Sequence, residues 1–195
     1  MNKIIKFLND IFRLFIPESR IYFDVEKKRE MWNEFSNENN GEIKVIRTVD
    51  NTLSRMEMII PYENYKIVYK ESDIHPLKIN CVINNKRDFF FQISVEDFIE
   101  RIMKSINNVE MEIGEKEFDN NYLIVTNDRV RLTRILSNKE LRDLLLNNEF
   151  TNFQLKKEEE NYNLLLLGGF QIDSKNILND ILRIFKIMID SLNNY

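Results

Sequence analysis

The stretch Tyr65-Lys66-Ile67-Val68-Tyr69-Lys70 alternates at every residue, with Tyr65, Ile67 and Tyr69 opposing Lys66, Val68 and Lys70. A period of two places successive side chains on opposite faces, as in a half-buried strand. The pattern extends both ways. Glu42–Val49 and Ser54–Ile60 read as strands before it. After it, Leu77, Ile79, Cys81 and Ile83 share one face of Leu77–Ile83, and Phe89, Phe91, Ile93 and Val95 share one face of Phe89–Val95. Asn84-Asn85-Lys86-Arg87 supplies turn residues between those two. Five consecutive strands with short connections predict an antiparallel meander.

Outside the meander the apolar period becomes helical. Residues 2–16 carry Ile4, Ile5, Leu8, Ile11, Phe12 and Phe15 on one stripe, opposed by Lys3, Lys6, Asn9, Asp10 and Arg13, and Pro17 ends the pattern. A second helix is predicted over Val25–Asn37, capped by Asp24 and followed by Gly41. Ser94 with Asp97 forms a weak capping box ahead of Phe98, Ile99, Ile102, Met103 and Ile106. Glu110–Ile113 and Tyr122–Thr126 read as short strands. Asp128 caps one helix, and Ser137 with Glu140 caps the next. Thr151–Lys156 and Tyr162–Leu167 form a hairpin across Glu158-Glu159-Glu160. Leu164–Leu167 is apolar on both faces, which predicts a central strand. Asp173 is expected to cap a last helix whose broad apolar face, from Ile177 to Leu192, suits packing on a sheet.

The predicted fold class is α+β: an antiparallel meander and a second, smaller set of strands, with helices mostly on one face. Residues 1–20 form an N-terminal amphipathic helix ahead of a single domain over 21–195. Phe91-Gln92-Ile93-Ser94 is echoed by Phe170-Gln171-Ile172-Asp173, each ahead of an apolar helix. That echo leaves two pseudo-repeated lobes, 42–107 and 108–195, as an open reading of the domain.

Composition narrows the function classes. The chain has 195 residues, which suits one domain. With one Cys and one His it makes no internal disulfide and no His/Cys zinc site of its own. Its 26 Asn and lack of Ala fit the codon bias of an AT-rich genome. Net charge is -4. Residues 1–107 hold 17 basic and 17 acidic groups and residues 108–195 hold 11 and 15, so the deficit belongs to the second half. Neither half has the basic excess of a nucleic-acid binder. No apolar run approaches the ~18 residues of a membrane span. Charged residues interrupt the N-terminal stripe, which argues against a signal peptide. The expectation is a cytoplasmic chain, or one peripheral to the inner face of a membrane.

Tests for catalysis return little. His75 and Cys81 lie on one extended segment roughly 20 Å apart at ~3.3 Å per residue. Cys81 takes the apolar parity of a buried residue. Gly168-Gly169 lacks the spacing of a phosphate loop and suits a bulge or turn. Carboxylates gather in Val109–Arg129, where Glu117 and Asp119 are the ligand candidates, without the spacing of a calcium loop. No cofactor or metal is expected. On the polar face of the meander, Lys44, Arg55, Lys66, Lys70 and Lys78 accompany Phe90 and Gln92, a combination able to hold a single strand of nucleic acid. Net charge makes nucleic acid the disfavoured partner. The first helix has three open placements: on a membrane surface through residues 2–16, on the body of its own chain, or on a protein partner or second copy. Ile4, Leu8, Ile11, Phe12, Phe15, Lys66, Lys70 and Phe90 are therefore the partner-binding candidates. The leading reading is a non-enzymatic binding protein. The alternatives are a carboxylate-dependent enzyme with or without a divalent cation, and a single-strand nucleic-acid binder.

Within Val109–Leu192, Glu112-Ile113-Gly114, Glu117-Phe118-Asp119, Tyr122 to Asn127-Asp128, and Leu136-Ser137 resemble an uncharacterised bacterial domain family. Its members often carry transmembrane helices ahead of this domain. The resemblance implies no catalytic residue. This chain departs from many members in showing no transmembrane segment, which sets it apart from their membrane attachment unless the first helix substitutes for one. Read bottom-up, the same residues are structural: Gly114 permits a turn, Phe118 anchors it, Asp119-Asn120 forms an Asx turn and Asp128 caps a helix.

Overall fold

The computed structural model describes residues 25–47, 54–72, 77–84, 88–95, 109–148, 150–169 and 172–194. The helices expected over 2–16 and Phe98–Ile106, together with Asp24 and His75, lie outside these residues. In chain order the elements are α1 (Val25–Glu38), β1 (Glu42–Arg47), β2 (Ser54–Tyr62), β3 (Tyr65–Ser72), β4 (Lys78–Ile83), β5 (Phe91–Ser94), β6 (Val109–Met111), α2 (Lys116–Asn121), β7 (Leu123–Thr126), α3 (Arg129–Leu136), α4 (Lys139–Asn147), β8 (Phe150–Glu158), β9 (Asn161–Gly168) and α5 (Lys175–Asn193).

Period-two patterning builds one antiparallel sheet of nine strands in the order β1-β2-β3-β4-β9-β8-β5-β7-β6. One register row crosses every strand: Ile43, Met58, Tyr69, Ile79, Leu166, Phe153, Ile93, Ile124 and Met111. All but the edge residue Ile43 are buried. This parity is the core face, and the fold is the expected α+β with described helices mostly on that face.

The predicted five-strand meander is corrected. β1 to β4 form a meander, but β4 pairs with β9 and β5 pairs with β8, so the β8–β9 hairpin separates β4 from β5. β9 is apolar on both faces and takes the middle position of the nine, as its leucines require. Of the residues read as a β4–β5 hairpin turn, 85–87 lie outside the described residues. β5 of the first candidate lobe sits between β8 and β7 of the second, so both lobes share one sheet. The acidic turn after Glu158 does close the β8–β9 hairpin, with Glu159 at φ 56°. The register shifts between Phe150 and Asn152 opposite Gly168, where a bulge was one expected role for the glycine pair.

Helix α5 lays Leu178, Ile181, Leu182, Ile184, Phe185, Met188, Ile189 and Leu192 into the core. Its far end is tied to the β2–β3 hairpin: Tyr62 Oη donates to Asp190 Oδ1 at 2.8 Å and Tyr65 Oη to Asn193 Oδ1 at 2.7 Å. Two predicted caps move by one residue. Ser174, not Asp173, is extended and accepts from Asn176 N at the start of α5. Asn138, not Ser137, caps α4 by accepting from Leu141 N; Ser137 stays helical as the last residue bound to α3, its Oγ donating to Arg134 O. Asp128 caps α3 as expected, accepting from Arg131 N at 2.9 Å.

Helix α1 ends in a Schellman arrangement, with Gly41 N donating to Ser36 O at 2.8 Å and Asn40 N to Asn37 O. Asn40, at φ 53°, takes the left-handed position, so Gly41 serves a different purpose. A Cβ on Gly41 would fall against Ile60 Cδ1, 2.7 Å from Ile59 O and 2.9 Å from Ser36 Oγ. The helix end thus packs directly on β2. Gly41→Ala is expected to cost about 1–3 kcal/mol by overpacking, while Asn40→Gly is expected to be nearly neutral. Urea denaturation of both variants checks this, and equal midpoints would overturn it.

Candidate functional site

The sheet presents a second face opposite the core. Its central row reads Glu42, Ile59, Val68, Asn80, Leu165, Gln154, Gln92 and Val125. Over β1–β4 this face is open: Ile46 is 46% and Val82 53% exposed, and Lys44, Arg55, Lys66 and Lys78 are exposed. Further along, the register partners Ser94 and Asn152 are each 1% exposed on the same face. The face is therefore most open over β1–β4, half-buried along its central row and closed locally around Ser94 and Asn152.

The open half is a row-wise arrangement of charge. Lys44, Glu57, Lys70 and Lys78 stand opposite one another in register. Glu57 Oε2 takes Lys70 Nζ at 3.4 Å and Arg55 Nη2 at 3.2 Å. Lys44, Lys66 and Lys78 make no ion pair among the described residues.

Of the partner-binding candidates, Ile4, Leu8, Ile11, Phe12 and Phe15 lie outside the described residues. Lys66 and Lys70 flank Val68 on β3, on the open half. Phe90 is half-buried just ahead of β5, its N–H donating to Asn127 Oδ1 and its carbonyl accepting from Thr126 Oγ1. The expectation that it stands beside the lysines is corrected. β4, β9 and β8 intervene, which places it about 19 Å away at ~4.8 Å per strand.

The carboxylate segment is occupied by structural duties. Asp119 Oδ1 accepts from Ile113 N and Oδ2 from Gly114 N, each at 2.9 Å. The expected Asx turn is instead a backward clamp from α2, a short helix the pattern did not announce, while Gly114 supplies the expected turn at φ 84°. Glu117 is exposed on α2. A shallow groove of about 250 Å³ is lined by Ile113, Glu115, Thr133, Leu136, Ser137 and Arg142. Its one carboxylate, Glu115, pairs with Arg142 at 3.1 Å, and neither Glu117 nor Asp119 lines it. Among the described residues no three His, Cys, Asp or Glu side chains gather as a metal site. Asp119→Ala is expected to cost about 1–2 kcal/mol by orphaning two N–H donors, read from a urea midpoint. An unchanged midpoint would contradict the clamp.

Sequence reasoning missed a buried polar hub on the core face. Glu71 shares the parity of Ile67 and Tyr69, and a charge on that parity was the available signal. Its side chain is fully buried, with Lys28 Nζ of α1 at 2.9 Å from Oε1. Ile172 N, just ahead of α5, donates to the same oxygen at 2.8 Å. Glu71 Oε2 and the indole Nε1 of fully buried Trp32 have no hydrogen-bond partner among the described residues. Burial pushes the Glu71 carboxyl up and the Lys28 ammonium down, and each opposes the other's shift by its charge. Burial also pushes the Cys81 thiol up to about 12, so it is not a nucleophile at neutral pH.

No protein-family model and no curated protein matches the chain. A nine-stranded antiparallel sheet with one sealed and one partly open face defines an α+β class that does occur among solved structures. The chain is similar to the crystal structure of the mycobacterial trehalose monomycolate transport factor A, TtfA, with a TM-score of 0.55 and 7% identity, over 84% of this chain and 93% of that one. At that identity the likeness is one of fold. Among the described residues no helix is long and apolar enough to cross a membrane.

Proposed function

We propose that the protein is a non-enzymatic binding protein that works at a membrane surface. The observation that carries this reading is the second sheet face where it is most open, over β1–β4, with exposed Val82 and Ile46 alongside uncompensated lysines. Part of the carboxylate segment is already engaged: Asp119 clamps a turn, Asp128 caps a helix and Glu115 holds Arg142. The fold neighbour is described as a transport factor, which supports a role without catalysis and near lipid. Co-sedimentation of the full chain with lipid vesicles tests it. Retention on vesicles is the expected result, and no retention on any composition would overturn it.

A further inference from the structure

We propose that the open half of the second sheet face, over β1–β4, is the docking surface, and that it takes anionic lipid headgroups. The inference rests on the membrane reading above and adds the surface and the headgroup chemistry. Five cations, Lys44, Arg55, Lys66, Lys70 and Lys78, stand there against two carboxylates, Glu42 and Glu57. The chain as a whole is anionic, at -4, so this surface runs against the sign of the protein.

The register sharpens the point. Lys70 and Lys78 are direct partners on neighbouring antiparallel strands, an arrangement that destabilises a sheet unless an anion relieves it. Glu57 relieves Lys70 on one side only. Lys78 on the other side, Lys66 further along β3 and Lys44 across from Glu57 on β1 remain without an ion pair among the described residues. An external anion completes the row.

The partner's class follows from what surrounds the charges. A second copy presenting the same face would set cations against cations. A nucleic-acid strand needs aromatic platforms, and Phe90 lies four strand steps away. The cations are instead spread over four strands, with exposed Ile46 on β1 and exposed Val82 on β4 at opposite corners of the patch. That two-dimensional mixture of basic heads and short apolar side chains suits a lipid surface, where headgroup charge and shallow apolar contact act together.

The test uses the full chain and vesicles of phosphatidylcholine, alone or with about a third phosphatidylglycerol. Lys44→Glu/Lys66→Glu/Lys78→Glu is compared with wild type, and Lys44→Gln/Lys66→Gln/Lys78→Gln guards against a folding defect, with circular dichroism as the fold check. Expected is preferential binding to the anionic vesicles that weakens as salt is raised and falls at least ~10-fold in both variants. Vesicle binding unaffected by the substitutions would overturn this surface and leave the membrane reading standing. No binding to either vesicle would overturn both. Binding to polyglutamate or to a single-stranded oligonucleotide through the same lysines, without vesicle binding, would assign the face to those partners instead and overturn the lipid proposal.

Discussion

Glu71→Ala is expected to lower stability by about 3–5 kcal/mol, because it breaks a buried ion pair between α1 and the end of β3. The Lys28 side chain is 11% exposed and that of Glu71 is 0% exposed, so the pair is largely shut off from water. The same change orphans Ile172 N, buried ahead of α5. Three segments far apart in sequence meet at this carboxylate: α1, the end of β3 and the approach to α5. Glu71→Gln keeps an acceptor for Ile172 N but loses the charge. Combined with Lys28→Met it removes the ion pair with the backbone bond intact, and that double variant is expected to lie much closer to wild type than Glu71→Ala does.

The titration has a definite sign. Glu71's folded pKa is raised, so its contribution is fully present below the unfolded value and is lost as pH rises through the folded one. Lys28's folded pKa is lowered, so its contribution is present above the unfolded value and is lost as pH falls through the folded one. Wild type measured against the Lys28→Met/Glu71→Gln variant should therefore be least favoured between the two folded pKa values. It should gain on either side of that window. Urea titrations of both proteins across pH check this, and a difference that peaks inside the window would contradict the desolvated pair.

The parity of each strand was legible because burial writes itself into a period of two. Tyr69, Ile79 and Ile93 fall on the predicted face, and the all-apolar Leu164–Leu167 run marked the centre of the sheet. Strand order was not legible. Alternation says which side of a strand is buried and nothing about its neighbour, so five adjacent strands looked like a meander until β9 took the place beside β4. The candidate site inherits that limit. Lys66 and Lys70 sit together because they share one strand, whereas Phe90 was placed beside them by an adjacency that does not exist. Cap positions slipped by one residue where two capping residues were consecutive, Ser137-Asn138 and Asp173-Ser174, since only the backbone angle decides which one leaves the helix.

Phe153→Ala is expected to cost about 3–5 kcal/mol, the second large effect. Phe153 lies on β8, in the hairpin inserted between β4 and β5, and in the register row that crosses all nine strands. It is fully buried, with ring centroids of Phe91 at 5.4 Å, Phe185 of α5 at 6.1 Å and Phe150 at 6.4 Å. Truncation leaves a cavity that the neighbouring β5, β9 and α5 cannot close without breaking sheet register. Phe153→Leu keeps most of the volume and should cost less than about 1.5 kcal/mol. Val82→Ala, on the open half of the second face, should change stability by no more than ~0.5 kcal/mol. Thermal or urea unfolding of the three variants gives the ranking. A Phe153 that packed loosely would cost little more than Val82→Ala on truncation; its place in the core row against α5 requires the two to differ by several-fold.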